Sequence, residues 1–225
     1  MPTDTIIQKV VEFTTPAQCL VCLAEPLILC KNCASTVLQS VAAYCVVCGL
    51  ARRQGKTCDD CATLTPLASL QAVTAYDDIG KQLIHHFKFE GDQQAARIAA
   101  SLMATLVEAG RYDAVVAVTT TAARRRQRGY DQSVLLAKSI AKRLDITYLA
   151  TLVRIKSVHQ IGAGRELRLA QSKGLYVATK RIKGRILLID DVVTTGATLS
   201  AAAEALTQAG ATAVEALVFA RDELT

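Results

Sequence analysis

The fold of this chain is decided by residues 185–200, which read RILLIDDVVTTGATLS. Residues 186–189 form an unbroken apolar run, the pattern of a parallel strand that is buried on both faces. Two aspartates, a loop of threonines and a helical pattern that ends at Gly210 follow this run. Parallel α/β sheets bind their ligands at the carboxyl ends of the strands. We therefore expect the functional site where this strand ends.

The residues after the strand can hold both a phosphate and a sugar. A helix N-terminus offers free N–H groups and the positive end of the helix dipole, and Thr194, Thr195 and Thr198 add hydroxyl donors. Asp190 and Asp191 suit the vicinal hydroxyls of a sugar, or a Mg²⁺ ion beside it. A ribose 5-phosphate meets both demands, whereas the run lacks P-loop and dinucleotide-fold patterns. The alternative is an ordinary strand–helix turn that the two aspartates cap.

All eight cysteines lie in four CxxC pairs between residues 19 and 61. Two CxxC turns complete one tetrathiolate zinc site, so eight ligands imply two zinc ions. One zinc ion with leftover thiols, disulfides or an iron–sulfur cluster are the alternatives. Sequential pairing of the turns needs only short loops, but an interleaved pairing also fits the spacing. The pairs are Cys19/Cys22, Cys30/Cys33, Cys45/Cys48 and Cys58/Cys61.

Length and composition predict a globular chain in two parts. Hydrophobic residues make up 51% of the 225 residues, which excludes a disordered protein. No apolar stretch is long enough for a membrane span, and no signal-peptide pattern begins the chain, so we expect a cytoplasmic protein with reduced thiols and no membrane insertion. We place a Cys-rich domain at residues 1–66, which metal binding would stabilise, and an α/β domain at residues 67–225.

The second part alternates strand and helix patterns. Strands are predicted at residues 70–76 and 113–118, with helices at residues 79–87 and 93–109. The second of these strands ends in threonines, so Thr119 and Thr120 are candidate ligand-binding residues. The arginines that follow either bind phosphate, bind single-stranded nucleic acid or form a solvated helix face. They are Arg124, Arg125, Arg126 and Arg128. Residues 153–176 are interpreted as a flap with some strand character.

The segment IDDVVTTGAT resembles the phosphoribosyl pyrophosphate signature of type I phosphoribosyltransferases. In that family the two acids contact the ribose hydroxyls, and the loop after them holds the 5′-phosphate. The resemblance implies that Asp190, Asp191 and Arg128 are the catalytic residues of any transferase reaction. It implies a ligand-binding set of Asp190, Asp191, Val192, Val193, Thr194, Thr195, Gly196, Ala197, Thr198, Thr119, Thr120, Arg128 and Arg168.

Four more segments together resemble the ComF family, the phosphoribosyltransferase-like proteins linked to bacterial competence. These are the CxxC segment, YDD…HHFKFEGD at 76–92, RRRQRGYDQ at 124–132 and a flap with Gln160 and Arg168. The resemblance implies a type I phosphoribosyltransferase fold, a parallel sheet flanked by helices, behind a double zinc ribbon with two structural zinc ions. It departs at VAVTTTAA, where the family has a proline-rich strand end, and at Tyr176, where the flap of the family has Phe.

Three functions compete on this basis. The first is a ComF protein that binds phosphoribosyl pyrophosphate with Mg²⁺ and supports DNA uptake by binding single-stranded DNA, with a DNA-uptake helicase as partner. The second is a true phosphoribosyltransferase of nucleotide metabolism, in which a nucleophile displaces pyrophosphate from C1 of the ribose. The third is an adaptor whose zinc ribbons dock a protein partner. Nothing in the sequence identifies an acceptor base, so turnover is left open.

Overall fold

The structure is a computed structural model that describes residues 18–19, 21–24, 29–39, 42–89, 93–155 and 174–222. The strands are β1 (Ala42–Ala43), β2 (Leu67–Ala75), β3 (Ala114–Ala117), β4 (Thr147–Tyr148), β5 (Leu152–Arg154), β6 (Tyr176–Ala178), β7 (Arg185–Val193) and β8 (Ala213–Arg221). The helices are α1 (Lys31–Gln39), α2 (Asp78–Phe89), α3 (Gln93–Ala104), α4 (Ala122–Arg128), α5 (Gln132–Leu144) and α6 (Ala197–Gln208). The centre of the expected flap, with Gln160 and Arg168, lies outside the described residues.

Six strands form one sheet in the order β1-β2-β8-β7-β3-β4. All neighbours in this sheet are parallel except β1, which runs antiparallel to β2. The apolar run of β7 is buried on both faces, because Ile186 and Leu188 point to one core while Leu187 and Ile189 point to the other. The expected parallel α/β sheet is confirmed. Strands β5 and β6 pair separately as an antiparallel ribbon.

The two faces of the sheet carry different layers. On one side, which we call the α6 face, α6 packs together with the second group of cysteines and Tyr176. On the other, the α5 face, α2, α3 and α5 pack together with Val37 of α1. Val21 and Leu29, which lie near the first group of cysteines, also pack on the α5 face. The Cys-rich segment therefore contributes to both cores, while the boundary that the sequence places at residue 66 stays a prediction.

Some boundaries differ from the sequence-based prediction. Helix α3 ends at Ala104 instead of 109, because the chain tightens to hydrogen bonds such as Thr105 N–H to Leu102 O, and the Thr105 hydroxyl donates to the same carbonyl at 2.7 Å. Strand β7 runs on to Val193, since β8 continues to pair with it. The arginine run forms the short helix α4.

A buried carboxylate joins the strands at the amino-terminal edge of the sheet. Glu215 of β8 accepts hydrogen bonds from Ser69 Oγ at 3.1 Å and Tyr112 Oη at 3.0 Å. It also pairs with Arg111 at 2.8 Å and Arg185 at 2.7 Å. Burial raises the pKa of Glu215, but these donors lower it more, so its pKa lies below the ordinary glutamate value. This network ties β2, β7 and β8 together.

Candidate functional site

A polar cleft opens at the carboxyl edge of the sheet, between β3 and β7. The β3–β7 ladder ends at Ala117 opposite Ile189, with one further bond from Val118 N–H to the Ile189 carbonyl at 2.9 Å. Strand β7 continues beside β8 as far as Val193, so a crevice forms next to Asp190. Its volume is about 190 Å³. Ligands of open α/β sheets bind in crevices of this kind.

The described residues that line this cleft come from the end of β3 and the loop after it, from α4, α5 and α6, and from β5, β6 and β7. Six of the residues predicted from the sequence lie there, while Arg124, Gln132, Ser133, Arg154 and Tyr176 were not in the predicted ligand-binding set. A signal for Arg124 and Gln132 was present in the RRRQRGYDQ segment, whereas Ser133 is revealed only by its contact with Asp190. The described lining consists of Val118, Thr119, Thr120, Arg124, Arg128, Gln132, Ser133, Arg154, Tyr176, Asp190, Asp191 and Thr198.

Short hydrogen bonds orient the two acids. Asp190 Oδ1 accepts from the hydroxyl of Ser133 at 2.7 Å and from the backbone N–H of Asp191 at 2.9 Å. Asp191 Oδ1 accepts from the backbone N–H of Val192 at 2.7 Å. Both carboxylates lie on the wall of the cleft and are half-buried. They therefore present fixed acceptors to hydroxyl groups or to a hard cation such as Mg²⁺.

The loop after β3 is held from three sides. Asp131, the N-cap of α5, accepts from the backbone N–H of Thr120 at 2.8 Å. Burial raises the pKa of this carboxyl group, although the bonds from Thr120 and Val134 oppose the shift. The Thr119 hydroxyl donates to the Leu152 carbonyl at 3.2 Å, and the Tyr176 hydroxyl donates to the Thr119 carbonyl at 3.0 Å. A phenylalanine at position 176 would lack this last donor.

Three arginines bring positive charge to the same cleft. Arg124 and Arg128 are one helical turn apart on α4, which Thr121 caps at its start and Gly129 ends in a left-handed conformation. Arg128 donates to Gln132 Oε1 at 3.3 Å. Arg154 of β5 lies 5.8 Å from the centre of the Tyr176 ring. Three guanidinium groups against two carboxylates favour an anionic ligand.

The loop between β7 and α6 places only part of the predicted phosphate-binding set beside the cleft. Thr198 reaches the cleft, Thr194 is exposed and Thr195 is buried. The Val192 and Val193 side chains pack against the two cores. Gly196 is the N-cap of α6 with a φ of 77°, and a Cβ atom added there would lie 2.4 Å from Val46 Cγ2. Glycine is therefore required at this turn.

The cysteines form two groups, and each group pairs consecutive CxxC turns. One contains Cys19, Cys22, Cys30 and Cys33, and the other contains Cys45, Cys48, Cys58 and Cys61. Within each group all four Sγ atoms lie within 4.8 Å of one another. The sequential pairing is therefore confirmed, and the interleaved alternative is wrong.

The sulfur geometry fits tetrahedral metal sites, and all eight cysteines are free thiols. Cys22 Sγ lies 3.7 Å from Cys30 Sγ, and Cys58 Sγ lies 3.7 Å from both Cys45 Sγ and Cys48 Sγ. A tetrahedral zinc ion with Zn–S bonds of about 2.3 Å sets sulfur atoms about 3.8 Å apart, whereas a disulfide needs about 2.05 Å. Both groups can therefore hold a zinc ion.

The ionisation of the thiols in the two groups also favours the binding of a metal cation. Burial opposes ionisation of Cys19 and Cys45, but backbone N–H groups outweigh it and lower the pKa of each to about 6. Burial and the neighbouring sulfurs raise the pKa of Cys33, and the neighbouring sulfurs together with burial raise the pKa of Cys61 to about 12. Four thiolates in such a cluster repel one another, and a divalent ion removes that repulsion.

The chain is similar to several known proteins. The phosphoribosyl transferase domain model matches residues 130–223. The DNA utilization protein YhgH of Salmonella typhimurium is 30% identical over 221 residues, which cover 90% of this chain and 96% of the relative. Competence protein ComFC of Bacillus subtilis is 28% identical over 193 residues, which cover 81% of this chain and 79% of the relative. The solved orotate phosphoribosyltransferase of Aeropyrum pernix is 22% identical, with a TM-score of 0.39 and coverage of 63% of this chain and 64% of that one.

The DNA utilization protein matches nearly the whole chain, and the domain model covers β7, the loop after it and α6. The chain therefore belongs to the ComF family, and it joins a phosphoribosyltransferase domain to a Cys-rich segment with two four-cysteine groups.

Proposed function

We propose that the protein binds phosphoribosyl pyrophosphate together with Mg²⁺ and supports the handling of single-stranded DNA during its uptake or use. The observation that supports this ligand is that two oriented carboxylates, three arginines and the threonines of two loops line the same cleft. Phosphoribosyl pyrophosphate has the matching parts, because it combines vicinal hydroxyls with anionic groups at both ends of a ribose.

Different residues of the cleft suit the ribose, the 5′-phosphate and the pyrophosphate of this ligand. Asp190 and Asp191 accept from the ribose hydroxyls, and the 194–198 loop with the N-terminus of α6 receives the 5′-phosphate. The loop of Thr119 and Thr120 faces the pyrophosphate together with Arg128. The carboxylates also supply hard oxygen ligands for the Mg²⁺ ion that accompanies the pyrophosphate. Arg168, which the family resemblance adds to the ligand-binding set, lies outside the described residues.

A transferase reaction would use the same contacts. The bond from C1 to the pyrophosphate oxygen breaks with its electron pair leaving on pyrophosphate, while a nucleophile forms the new bond to C1 and releases a proton. The arginines would stabilise the departing charge, and the carboxylates would orient the ribose. This reaction also needs an acceptor base, so turnover is tested separately from ligand binding.

The role in DNA handling rests on the relatives and on surface charge. Two relatives carry the names DNA utilization protein and competence protein. Arg125 and Arg126 are exposed on α4 next to the cleft, and the chain has a formal net charge of +6. We propose that single-stranded DNA lies along this helix, that a DNA-uptake helicase is the protein partner, and that the protein works in the cytoplasm. In the described residues no helix is long and apolar enough to cross a membrane.

Two structural zinc ions are part of the proposal, one in each four-cysteine group. The adaptor function is favoured by exposed leucines beside the cysteine turns, Leu23, Leu50 and Leu64. Its test is capture of a protein partner that depends on these leucines in zinc-loaded protein.

The decisive experiment titrates the zinc-loaded protein with phosphoribosyl pyrophosphate by calorimetry, with and without Mg²⁺. We expect Mg²⁺-dependent binding, and binding of labelled single-stranded DNA that weakens steeply with salt. Release of pyrophosphate in the presence of a panel of nucleobases measures turnover. Binding of single-stranded DNA without any affinity for phosphoribosyl pyrophosphate would overturn the ligand assignment and leave a DNA-binding protein.

A further inference from the structure

The second cysteine group lies directly behind the proposed phosphate loop. Val46 stands between Cys45 and Cys48, and its side chain is 1% exposed. A Cβ atom at Gly196 would come within 2.4 Å of Val46 Cγ2 and 3.4 Å of the Val46 carbonyl oxygen. The CxxC turn therefore touches the backbone at the N-cap of α6.

Two further contacts join this cysteine group to the same segment. Thr65, four residues after Cys61, donates a buried hydrogen bond of 2.9 Å to the hydroxyl of Ser200 in the first turn of α6. Arg221 of β8 is the strand partner of Val193 at the end of β7. Its guanidinium group lies 4.2 Å from the centre of the Tyr44 ring. Residues within and beside the second cysteine group thus contact the 194–198 loop at Gly196 and the residue Ser200 after it. Through Arg221 they are also linked to Val193, the residue before the loop.

The first cysteine group has a different location. Val21, in its first CxxC turn, packs with the core of the α5 face, on the opposite side of the sheet from α6. Leu29 and Ala34, which flank its second CxxC turn, pack with the same core. Each group offers four cysteine ligands, and in each the first cysteine is buried and the second is exposed. The two groups can therefore be compared as a matched pair, since the contacts with the loop among the described residues come from the second group.

We propose that the second cysteine group positions the 194–198 loop, with Val46 as the positioning residue, so that loss of its metal lowers affinity for a ribose phosphate. This inference rests on the proposed function of that loop. A metal ion bound by Cys45, Cys48, Cys58 and Cys61 would crosslink the two CxxC turns and so fix the turn that carries Val46. Without the metal the turn is no longer crosslinked. The backbone N–H groups at the start of α6 then lose the support that orients them towards a phosphate.

The selectivity of this effect distinguishes positioning from general destabilisation. Pyrophosphate alone would bind at the Thr119 loop, which Asp131 and Tyr176 hold, and at Arg128, which donates to Gln132. Ribose 5-phosphate needs the 194–198 loop. Damage to the second cysteine group should therefore weaken ribose 5-phosphate binding and leave Mg²⁺–pyrophosphate binding unchanged. General unfolding would weaken both.

The experiment compares Cys48→Ser with Cys22→Ser in the full chain. Both residues are the exposed members of their groups, so each variant removes an equivalent ligand. Each should retain about one zinc ion per chain. We expect Cys48→Ser to bind ribose 5-phosphate about tenfold more weakly and Cys22→Ser to bind it like the parent. Val46→Ala should reproduce the loss while keeping both zinc ions, and Val21→Ala is its control.

Hydrogen exchange of the ligand-free protein provides a second measurement. Amides of residues 195–200 should exchange faster in Cys48→Ser and Val46→Ala, and at the parental rate in Cys22→Ser and Val21→Ala. Equal effects of the two Cys variants on this segment would overturn the inference. If the parent binds no ribose phosphate at all, the proposed function fails, and unchanged exchange in Val46→Ala and Cys48→Ser would overturn the coupling as well.

Discussion

The two edges of the central sheet use the same residue types for different purposes. At the amino-terminal edge, four side chains from the protein itself enclose Glu215, and its own side chain is 4% exposed. At the carboxyl-terminal edge, Asp190 and Asp191 are oriented by the protein but lie on the wall of a cleft that three arginines also line. A charge that protein donors surround serves stability, whereas a charge fixed on a cleft wall is placed for a ligand.

The comparison predicts that substitutions at the two edges affect different properties, namely stability at one edge and ligand affinity at the other. Substitutions at the amino-terminal edge should lower the free energy of unfolding and leave ligand affinity unchanged. Substitutions at the carboxyl-terminal edge should lower ligand affinity and leave the free energy of unfolding nearly unchanged. A residue whose replacement changes both would show that the two edges are coupled.

The largest effect is expected from Glu215→Ala. It removes the acceptor shared by Ser69, Tyr112, Arg111 and Arg185, so we expect a loss of about 3 kcal/mol in the free energy of unfolding. Denaturant unfolding measures this loss, and calorimetry should show parental affinity for phosphoribosyl pyrophosphate. Unfolding at the parental denaturant concentration would contradict the structural role of the network.

The same carboxylate predicts how stability depends on pH. Its folded-state pKa lies below the ordinary value of 4.5, because the arginine and hydroxyl donors outweigh burial. Its contribution is therefore complete above pH 4.5 and is lost as the pH falls through the folded-state pKa. Denaturant titrations of the parent and of Glu215→Gln across this range should converge as the pH falls. A constant difference between the two proteins would contradict the assignment.

The next effect is expected from the double variant Asp190→Asn with Asp191→Asn. Replacing two charged acceptors by amides should weaken phosphoribosyl pyrophosphate binding about 100-fold, or about 2.8 kcal/mol. Asp222→Asn is the control, since Asp222 lies just beyond the end of the neighbouring strand β8 at the same edge. Unchanged affinity in a well-folded double variant would remove the two acids from the site.

A smaller effect is expected from Arg128→Ala. Loss of one charged hydrogen bond to the pyrophosphate should cost about 2 kcal/mol of binding free energy. Arg126→Ala removes an exposed arginine from the same short helix and is the matched control. The ligand titration should separate the two variants, whereas single-stranded DNA should lose affinity in both, with a shallower salt dependence. Equal ligand affinity in the two variants would indicate a merely solvated helix face.

The smallest effect is expected from Tyr176→Phe. This change removes the donor to the Thr119 carbonyl and restores the residue that the family resemblance leads one to expect. We expect a loss of about 1 kcal/mol in affinity for pyrophosphate and no change for ribose 5-phosphate. Parallel titrations with pyrophosphate and ribose 5-phosphate test this prediction. An equal loss of affinity for both would show that Tyr176 does not act on the pyrophosphate site alone.

Much of the architecture was predictable from local patterns. The apolar run of β7 predicted a central buried strand, and the acids and threonines after it predicted a site at the carboxyl edge. The spacing of the CxxC pairs predicted two tetrathiolate groups. These features depend on residues that are close in sequence, and their periodicity and ligand spacing carry the information.

Only the tertiary structure decided how distant segments meet. It selected sequential pairing of the CxxC turns and brought Ser133 to Asp190 across 57 residues. It also placed Tyr176 against the loop after β3 and Val46 against Gly196. Such contacts follow from the order of the strands and the packing of the two faces, and no periodic pattern records them. The sequence by itself therefore determined which chemistry the chain carries, and the packing of remote segments decided which residues share each site.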